Sequence, residues 1–155
     1  MGKLGQANAM RDTRAVLAFL AGQPAVAPGK IGATGYCMGG GLAISAAGFF
    51  PDRFAAVAAY HPGNIATDAP DSPHLQVPNI QARVYVGGAS EDPTFPDAMK
   101  ARLETALREA SVDHTIETYP ARHGWVPSDT PVHDPAAAER HWQTLFALLD
   151  GALKR

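Results

Sequence analysis

An apolar run and a helical pattern meet in Gly35-Tyr36-Cys37-Met38-Gly39-Gly40, where a cysteine stands between glycines. Residues 30–36 predict a short strand covered on both faces, because polar and apolar residues do not alternate along it. Residues 38–50 predict a helix that Pro51 ends. Glycine two positions before and after Cys37 gives the Gly-x-nucleophile-x-Gly spacing of a nucleophile elbow, which is a strained strand-to-helix turn.

The position of Cys37 at the start of a helix suits a nucleophile. The helix dipole and the free N–H groups of the first turn favour the thiolate form of its side chain. The backbone N–H of Met38 is placed to bind an oxyanion that forms on a substrate. We expect glycine to be required at positions 35 and 39, because its lack of a side chain lets the strand and the helix approach closely.

Strand and helix patterns alternate along the rest of the chain. Strands are predicted at 54–60, 82–86 and 114–119, and helices at 9–21, 96–110 and 135–153. Gly87-Gly88 is expected to end the third strand, and residues 63–79 predict an excursion without a regular element. The alternation favours a single α/β domain over residues 1–155, with an open, mostly parallel sheet and crossover helices.

The order of the pattern is unusual for this class, because a helix precedes the first strand. That helix is expected to cross over from an earlier strand, so the sequence predicts that N-terminal strands of the sheet are missing. Residues 30–36 would then form an apolar edge strand that is open to pairing with a second copy or a partner chain. A homodimer through this edge is therefore one expectation.

Composition excludes several classes of protein. Of 155 residues, 46% are apolar and 18% are charged, and a net charge of −2 without a basic stripe argues against nucleic-acid binding. A single cysteine rules out an intrachain disulfide and a structural zinc site of several cysteines. No signal peptide is visible and no apolar run approaches the ~20 residues of a membrane span, so we expect a cytoplasmic protein without membrane contact.

Chemically useful side chains follow the strand patterns at their carboxyl ends, where open α/β sheets place their sites. Cys37 follows the first strand, an acidic pair follows the third, and His123 follows the fourth. Nucleophile, acid and histidine thus come in the chain order of an α/β-hydrolase triad. The acid is Asp92 or Glu91, and Asp92 is favoured because a short carboxylate before Pro93 is fixed on a tight turn.

Six histidines compete for the role of base. His123 alone both follows the acid and ends a strand, in a short loop beside Gly124. His61 lies at the correct edge of the sheet but precedes the acid, so it is either a loop residue or a wall of the substrate pocket. Tyr36 and Trp125 are further candidates for substrate contact. The remaining histidines lie elsewhere in the predicted fold: His74, His114, His133 and His141.

Three motifs, taken together and in this order, resemble the dienelactone hydrolase family of α/β-hydrolases. They are residues 35–40, residues 87–96, and Pro120-Ala121-Arg122-His123-Gly124-Trp125. The resemblance runs over nearly the whole chain, as the C-terminal portion of such a protein. It implies an α/β-hydrolase fold with a triad of Cys37, Asp92 and His123. The type activity that it implies is hydrolysis of a small enol-lactone, without a cofactor.

The chain departs from that family in two respects. Family members carry further strands before the opening helix, which supply the second oxyanion-hole N–H and, in the type enzyme, a glutamate that helps to activate the thiol. Arginines hold the substrate carboxylate in the type enzyme, one of them after the histidine loop, whereas Trp125-Val126-Pro127-Ser128 follows here. Dienelactone itself is therefore not the expected substrate.

The expected function is a cysteine-dependent hydrolase of small carboxylic esters or lactones that forms an acyl-thioester, with no metal. One alternative is a truncated, non-catalytic fragment that associates with itself or with a partner chain. A cysteine peptidase or an acyltransferase on the same scaffold is another, because the sequence does not specify the acceptor of the acyl group.

Overall fold

The computed structural model describes residues 5–154. Its strands are β1 (Ile31–Tyr36), β2 (Phe54–Tyr60), β3 (Arg83–Ala89) and β4 (His114–Tyr119). Its α-helices are α1 (Gln6–Ala21), α2 (Met38–Phe49), α3 (Asp97–Glu109) and α4 (Pro135–Leu153), and a 3₁₀ helix spans Pro73–Asn79. The strands form one open sheet in the order β1-β2-β3-β4, and each pair is parallel. The predicted fold class, an open α/β sheet with crossover helices, is confirmed.

The two faces of the sheet are covered by different helices, as the alternation of side chains along each strand requires. Val57 and Val84 belong to the cluster that also contains apolar residues of α1, α2 and α3. Tyr60 and Tyr85 belong to a second cluster, with Ala137 and Leu145 of α4. Both central strands are thus buried on both sides, which explains why their sequences are apolar without polar alternation.

Strand β3 runs further than the sequence pattern predicted. It continues through Gly87 and Gly88 to Ala89, whereas the glycine pair was expected to end it. A Cβ atom on Gly87 would lie 2.9 Å from the ring of Tyr119 and 3.0 Å from the ring of Tyr60. These glycines therefore keep the strand extended while aromatic rings pack across it, and they do not mark a turn.

The excursion between β2 and β3 is also more ordered than predicted, because it ends in the 3₁₀ helix. Pro73 opens this helix, where a missing N–H costs nothing. The helix lies tightly against α2, since a Cβ atom on Gly48 would lie 2.5 Å from the carbonyl oxygen of Gln76. A proline-rich segment thus forms a wall beside the helix that follows Cys37.

Strand β1 lies at one edge of the sheet, as predicted for residues 30–36. Toward β2, the N–H of Ile31 donates to Arg53 and the N–H of Cys37 donates to Tyr60. Because hydrogen bonds alternate in direction along a strand, the backbone groups of Gly32 and Thr34 face away from the sheet. Next to this edge, α1, β1 and α2 enclose a groove of about 410 Å³ with a mainly apolar lining.

Across residues 5–154, no helix combines the length and the apolar character that crossing a bilayer requires.

Candidate active site

Cys37 occupies a sharp turn between β1 and α2. Its backbone is left-handed, with φ of 52° and ψ of −124°, and its side chain is exposed. A Cβ atom on Gly35 would lie 2.0 Å from the carbonyl oxygen of Gly39, so glycine is required at position 35. A Cβ atom on Gly39 would meet no other part of the described chain within 4 Å. The expected close approach therefore needs only the first of the two flanking glycines.

The turn places the thiol of Cys37 beside His123, which lies in the loop after β4, the strand at the other edge of the sheet. Nε2 of His123 lies 3.2 Å from Sγ of Cys37, although 86 positions separate the two residues in sequence. Nδ1 of the same imidazole lies 2.7 Å from Oδ2 of Asp92. Since a carboxylate can only accept, Nδ1 carries the proton and Nε2 is left free to accept the thiol proton. The three side chains thus form a line from thiol to imidazole to carboxylate.

The carboxylate of Asp92 is held on both of its oxygens. Oδ2 faces His123, while Oδ1 accepts hydrogen bonds from the backbone N–H of Thr94 at 2.8 Å and from its hydroxyl at 2.7 Å. Burial alone would raise the pKa of Asp92, but the hydrogen bonds from His123 and Thr94 outweigh it and hold the pKa below its usual value. Asp92 therefore stays ionised and keeps the imidazole oriented.

The neighbouring Glu91, which the sequence left as an alternative acid, is exposed, with a left-handed φ of 51°. The structure brings Asp92 to His123. Among the histidines of residues 5–154, His123 is the one that makes a hydrogen-bond contact with the thiol. His114 begins β4 and lies 3.2 Å from Glu104, and Nδ1 of His133 lies 3.0 Å from the carbonyl oxygen of Trp125.

A cavity of about 370 Å³ opens at Cys37. Its lining consists of the ends of β1 and β2, the first turns of α2, and the loops that carry Thr94 and His123. The lining residues are Cys37, Met38, Gly41, Leu42, Gly63, Asn64, Pro73, Thr94 and His123. None of these side chains is an arginine or a lysine, so the cavity as described offers polar contacts without a fixed positive charge.

The residues predicted to contact substrate lie behind this cavity. His61 is 2% exposed and Trp125 is fully buried, so their rings lie in the protein interior and not on the cavity wall. The hydroxyl of Tyr36 lies 2.8 Å from Nε2 of His141 in α4, on the opposite side of the sheet. None of the three lines the cavity. We therefore assign none of them to substrate contact.

Met38 is the first residue of α2, and its backbone N–H lies at the end of the helix where donors lack a partner within the helix. The oxyanion contact expected for this N–H stays a prediction. Sequence reasoning missed Thr94 and Asn64. Thr94 follows Asp92 by two residues, and that spacing is typical of an Asx turn, which could have indicated it. The backbone N–H of Asn64 donates to the carbonyl oxygen of Thr94 at 2.8 Å, a long-range contact without a sequence signal.

The described residues of this site do not include a set of side chains that could hold a metal ion. Among residues 5–154, no three His, Cys, Asp or Glu side chains come close enough together to hold an ion.

Residues 1–153 match the dienelactone hydrolase family. A Synechocystis protein named "Putative carboxymethylenebutenolidase" is 29% identical over 152 residues, which cover 96% of this chain and 61% of that protein. A solved structure from Klebsiella pneumoniae, a "Putative Dienelactone Hydrolase", superimposes with a TM-score of 0.85 at 22% identity, covering 95% of this chain and 62% of that one. The dienelactone hydrolase of Anabaena variabilis superimposes with a TM-score of 0.71 at 20% identity, covering 94% and 60%.

The chain thus spans about three fifths of the length of these relatives. The match to the family nevertheless extends over nearly every residue, including the turn at Cys37 and the loops that carry Asp92 and His123. The chain belongs to the dienelactone hydrolase family, with the α/β-hydrolase fold.

Proposed function

We propose that this chain carries the catalytic centre of a cysteine-dependent hydrolase of small carboxylic esters or lactones. Cys37 is the nucleophile, His123 the general base and Asp92 the residue that orients it. The observation that carries the proposal is the unbroken line of contacts, 3.2 Å from thiol to imidazole and 2.7 Å from imidazole to carboxylate. Membership of a hydrolase family supports it independently.

In the acylation step, Nε2 of His123 takes the thiol proton as the sulfur of Cys37 attacks the acyl carbon. The resulting oxyanion accepts a hydrogen bond from the backbone N–H of Met38. The tetrahedral intermediate then collapses, the C–O bond to the alcohol breaks, and the imidazolium of His123 protonates the leaving alkoxide. The product is an acyl-thioester on Cys37 with His123 again neutral.

In the deacylation step, His123 removes a proton from a water molecule, and the hydroxide attacks the thioester carbon. The C–S bond breaks, and the proton returns from His123 to the sulfur of Cys37. The net reaction consumes one water and releases an alcohol and a carboxylic acid. In a lactone, both groups remain on one product molecule.

The size and lining of the cavity set the substrate class that we propose. A cavity of about 370 Å³ suits a small acyl group. Its lining contains Thr94 and Asn64 but no cationic side chain, so a substrate carboxylate would find no charged partner among the described residues. Neutral esters and lactones therefore suit this cavity better than an anionic enol-lactone.

The test is hydrolysis of a panel of chromogenic esters, lactones and amides by the purified chain. Cys37→Ala should abolish turnover while the circular dichroism spectrum stays that of the wild type. His123→Ala should have the same effect, and His114→Ala is its matched control, because His114 lies at the amino end of β4 whereas His123 follows its carboxyl end. Turnover that survives Cys37→Ala would end the proposal, and preference for amides would favour the peptidase alternative.

A second candidate function is association without catalysis. It is favoured by the open edge of β1 and the adjoining apolar groove of the described residues. A chain of this kind would pair through β1 with a second copy or with a partner strand. An inactive but dimeric wild-type protein in light scattering would support this candidate over the first.

A further inference from the structure

His61 is a buried polar residue that has no role in the acylation and deacylation steps proposed above. It follows β2 directly, and its backbone is left-handed, with φ of 37°. Its N–H donates to the carbonyl oxygen of Gly87 in β3 at 2.7 Å, which fixes the backbone at this unusual angle. A non-glycine residue in this region carries backbone strain, and such strain clusters at functional sites.

The ring of His61 lies among the aromatic side chains that surround the base. It meets the ring of His123 edge to face with centroids 5.0 Å apart, and it meets the ring of Trp125 in the same manner, also at 5.0 Å. The ring of Tyr36, directly before the nucleophile, lies 6.0 Å away. His61 is thus in contact with both segments that must stay in register for the thiol to reach the imidazole.

The ring nitrogens of His61 make no hydrogen bond to any of residues 5–154. Within the described part of the chain, neither Nδ1 nor Nε2 of His61 has a hydrogen-bond partner. Burying an imidazole in this state is costly, so the residue must contribute through another property. Its ring shape and its edge-to-face contacts are what remain.

We propose that His61 is a positioning residue whose ring holds His123 on the line between Cys37 and Asp92. The inference rests on the proposed function, since it assigns His123 the role of base. The backbone beyond His61 completes the support, because a Cβ atom on Gly63 would lie 3.1 Å from the hydroxyl oxygen of Thr94 and 4.0 Å from Cε1 of His123. The loop after β2 therefore packs against the base and against the turn of its carboxylate.

His61 stays neutral while it does this. Burial first, and then the nearby charge of His123, lower its pKa to about 4. The titratable groups that face His61 come from each neighbouring element: Tyr36 from β1, Asp92 and His123 from the loops after β3 and β4, and His141 from α4.

The test compares His61→Phe, which keeps an aromatic ring, with His61→Ala, which removes it. His114→Ala, at the amino end of β4, is the control. One readout is the pH dependence of alkylation of Cys37 by iodoacetamide, which needs no substrate and reports a single site because the chain has one cysteine. The other is kcat and KM for a small ester.

We expect His61→Ala to lower kcat on the order of 10²-fold with KM little changed, because a displaced base loses its orientation. Its Cys37 should be alkylated more slowly than that of the wild type at each pH, because the base no longer lies beside the thiol. His61→Phe should keep both the wild-type profile and most of kcat. An equal loss of kcat in His61→Phe and His61→Ala would overturn the proposal, because the effect would then come from the ring nitrogens and not from the aromatic ring.

Failure of this inference is distinguishable from failure of the proposed function. A wild-type protein that hydrolyses none of the panel, and whose thiol is alkylated no faster than that of the His123→Ala variant, would contradict the proposed function itself. A reactive wild-type thiol whose profile and kcat are unchanged in His61→Ala would contradict the positioning role alone.

Discussion

The hydroxyl of Thr94 donates to Oδ1 of Asp92 at 2.7 Å, and the second carboxylate oxygen is thereby left to His123. The same hydroxyl oxygen lies 3.3 Å from Nδ1 of His123, so Thr94 touches both partners of the contact that orients the base. A single side chain from the Asp92 turn thus fixes the carboxylate and, together with the stronger effect of the hydrogen bond from His123, keeps its pKa low.

Thr94→Val removes this hydroxyl while keeping the shape of the side chain. A hydrogen bond to a charged group contributes roughly 1.5–3 kcal/mol, so we expect kcat to fall by about one order of magnitude or more. The pKa of Asp92 should rise, because one of the interactions that favour its charged form is lost. Steady-state kinetics with a small ester measures the first effect. Thr94→Ser is the matched control, and a Thr94→Val protein as active as Thr94→Ser would contradict the role.

The adjacent acids allow a sharp test of which carboxylate matters. Asp92→Asn should lower kcat on the order of 10³- to 10⁴-fold, because the amide no longer holds the tautomer in which Nε2 of His123 accepts a proton. Glu91→Gln makes the same chemical change one residue earlier, on an exposed side chain, and should leave kcat within about twofold of the wild type. Equal loss in both variants would show that the turn, and not the contact to His123, had been damaged.

Strong local patterns predicted most of the fold. The bounds predicted for β2, β4 and α4 agree with those observed, because each is set by a proline or by a change in hydrophobic period nearby. Gly87-Gly88 misled the prediction for β3, since the need for glycine there comes from the rings of Tyr60 and Tyr119, which are remote in sequence. Glycine as a turn signal and glycine as space for a neighbour look the same in one sequence.

The site divides in the same manner. Order along the chain and position at strand ends sufficed to predict that Cys37, Asp92 and His123 would meet. The order of residues along the chain does not indicate depth below the surface. His61 and Trp125 are therefore candidates for substrate contact in the sequence, although both are buried in the structure. The partners of Asp92 depend on how a turn closes, and Thr94 was therefore missed.

The buried His61 should also make the free energy of unfolding sensitive to acid. Its folded-state pKa of about 4 lies below the value of about 6.5 in an unfolded chain, so below pH 6.5 the unfolded state binds more protons. The free energy of unfolding should therefore fall as pH drops from about 6.5 to about 4, by on the order of 3 kcal/mol from this group.

Urea unfolding at a series of pH values measures this slope, with His61→Phe as the variant that cannot take up the proton. His141 is fully buried and its pKa is lowered in the same direction, so a smaller slope should persist in His61→Phe. Identical slopes in the wild type and the variant would show that His61 does not titrate as its burial requires.

The open edge of β1 leads to a prediction about association. Thr34 is exposed, and its backbone groups face away from β2, so a second strand could pair with the sheet there. Lysine on an edge strand opposes such pairing, because a paired neighbour would have to bury its charge. We expect the wild-type chain to form dimers in size-exclusion chromatography with light scattering, and Thr34→Lys to shift them toward monomers. Thr115→Lys places the same charge on an exposed residue of β4, the opposite edge, and should leave the dimers intact. Dimers that dissociate only in Thr115→Lys would instead locate the interface at β4, and a monomeric wild-type chain would show that the β1 edge does not associate.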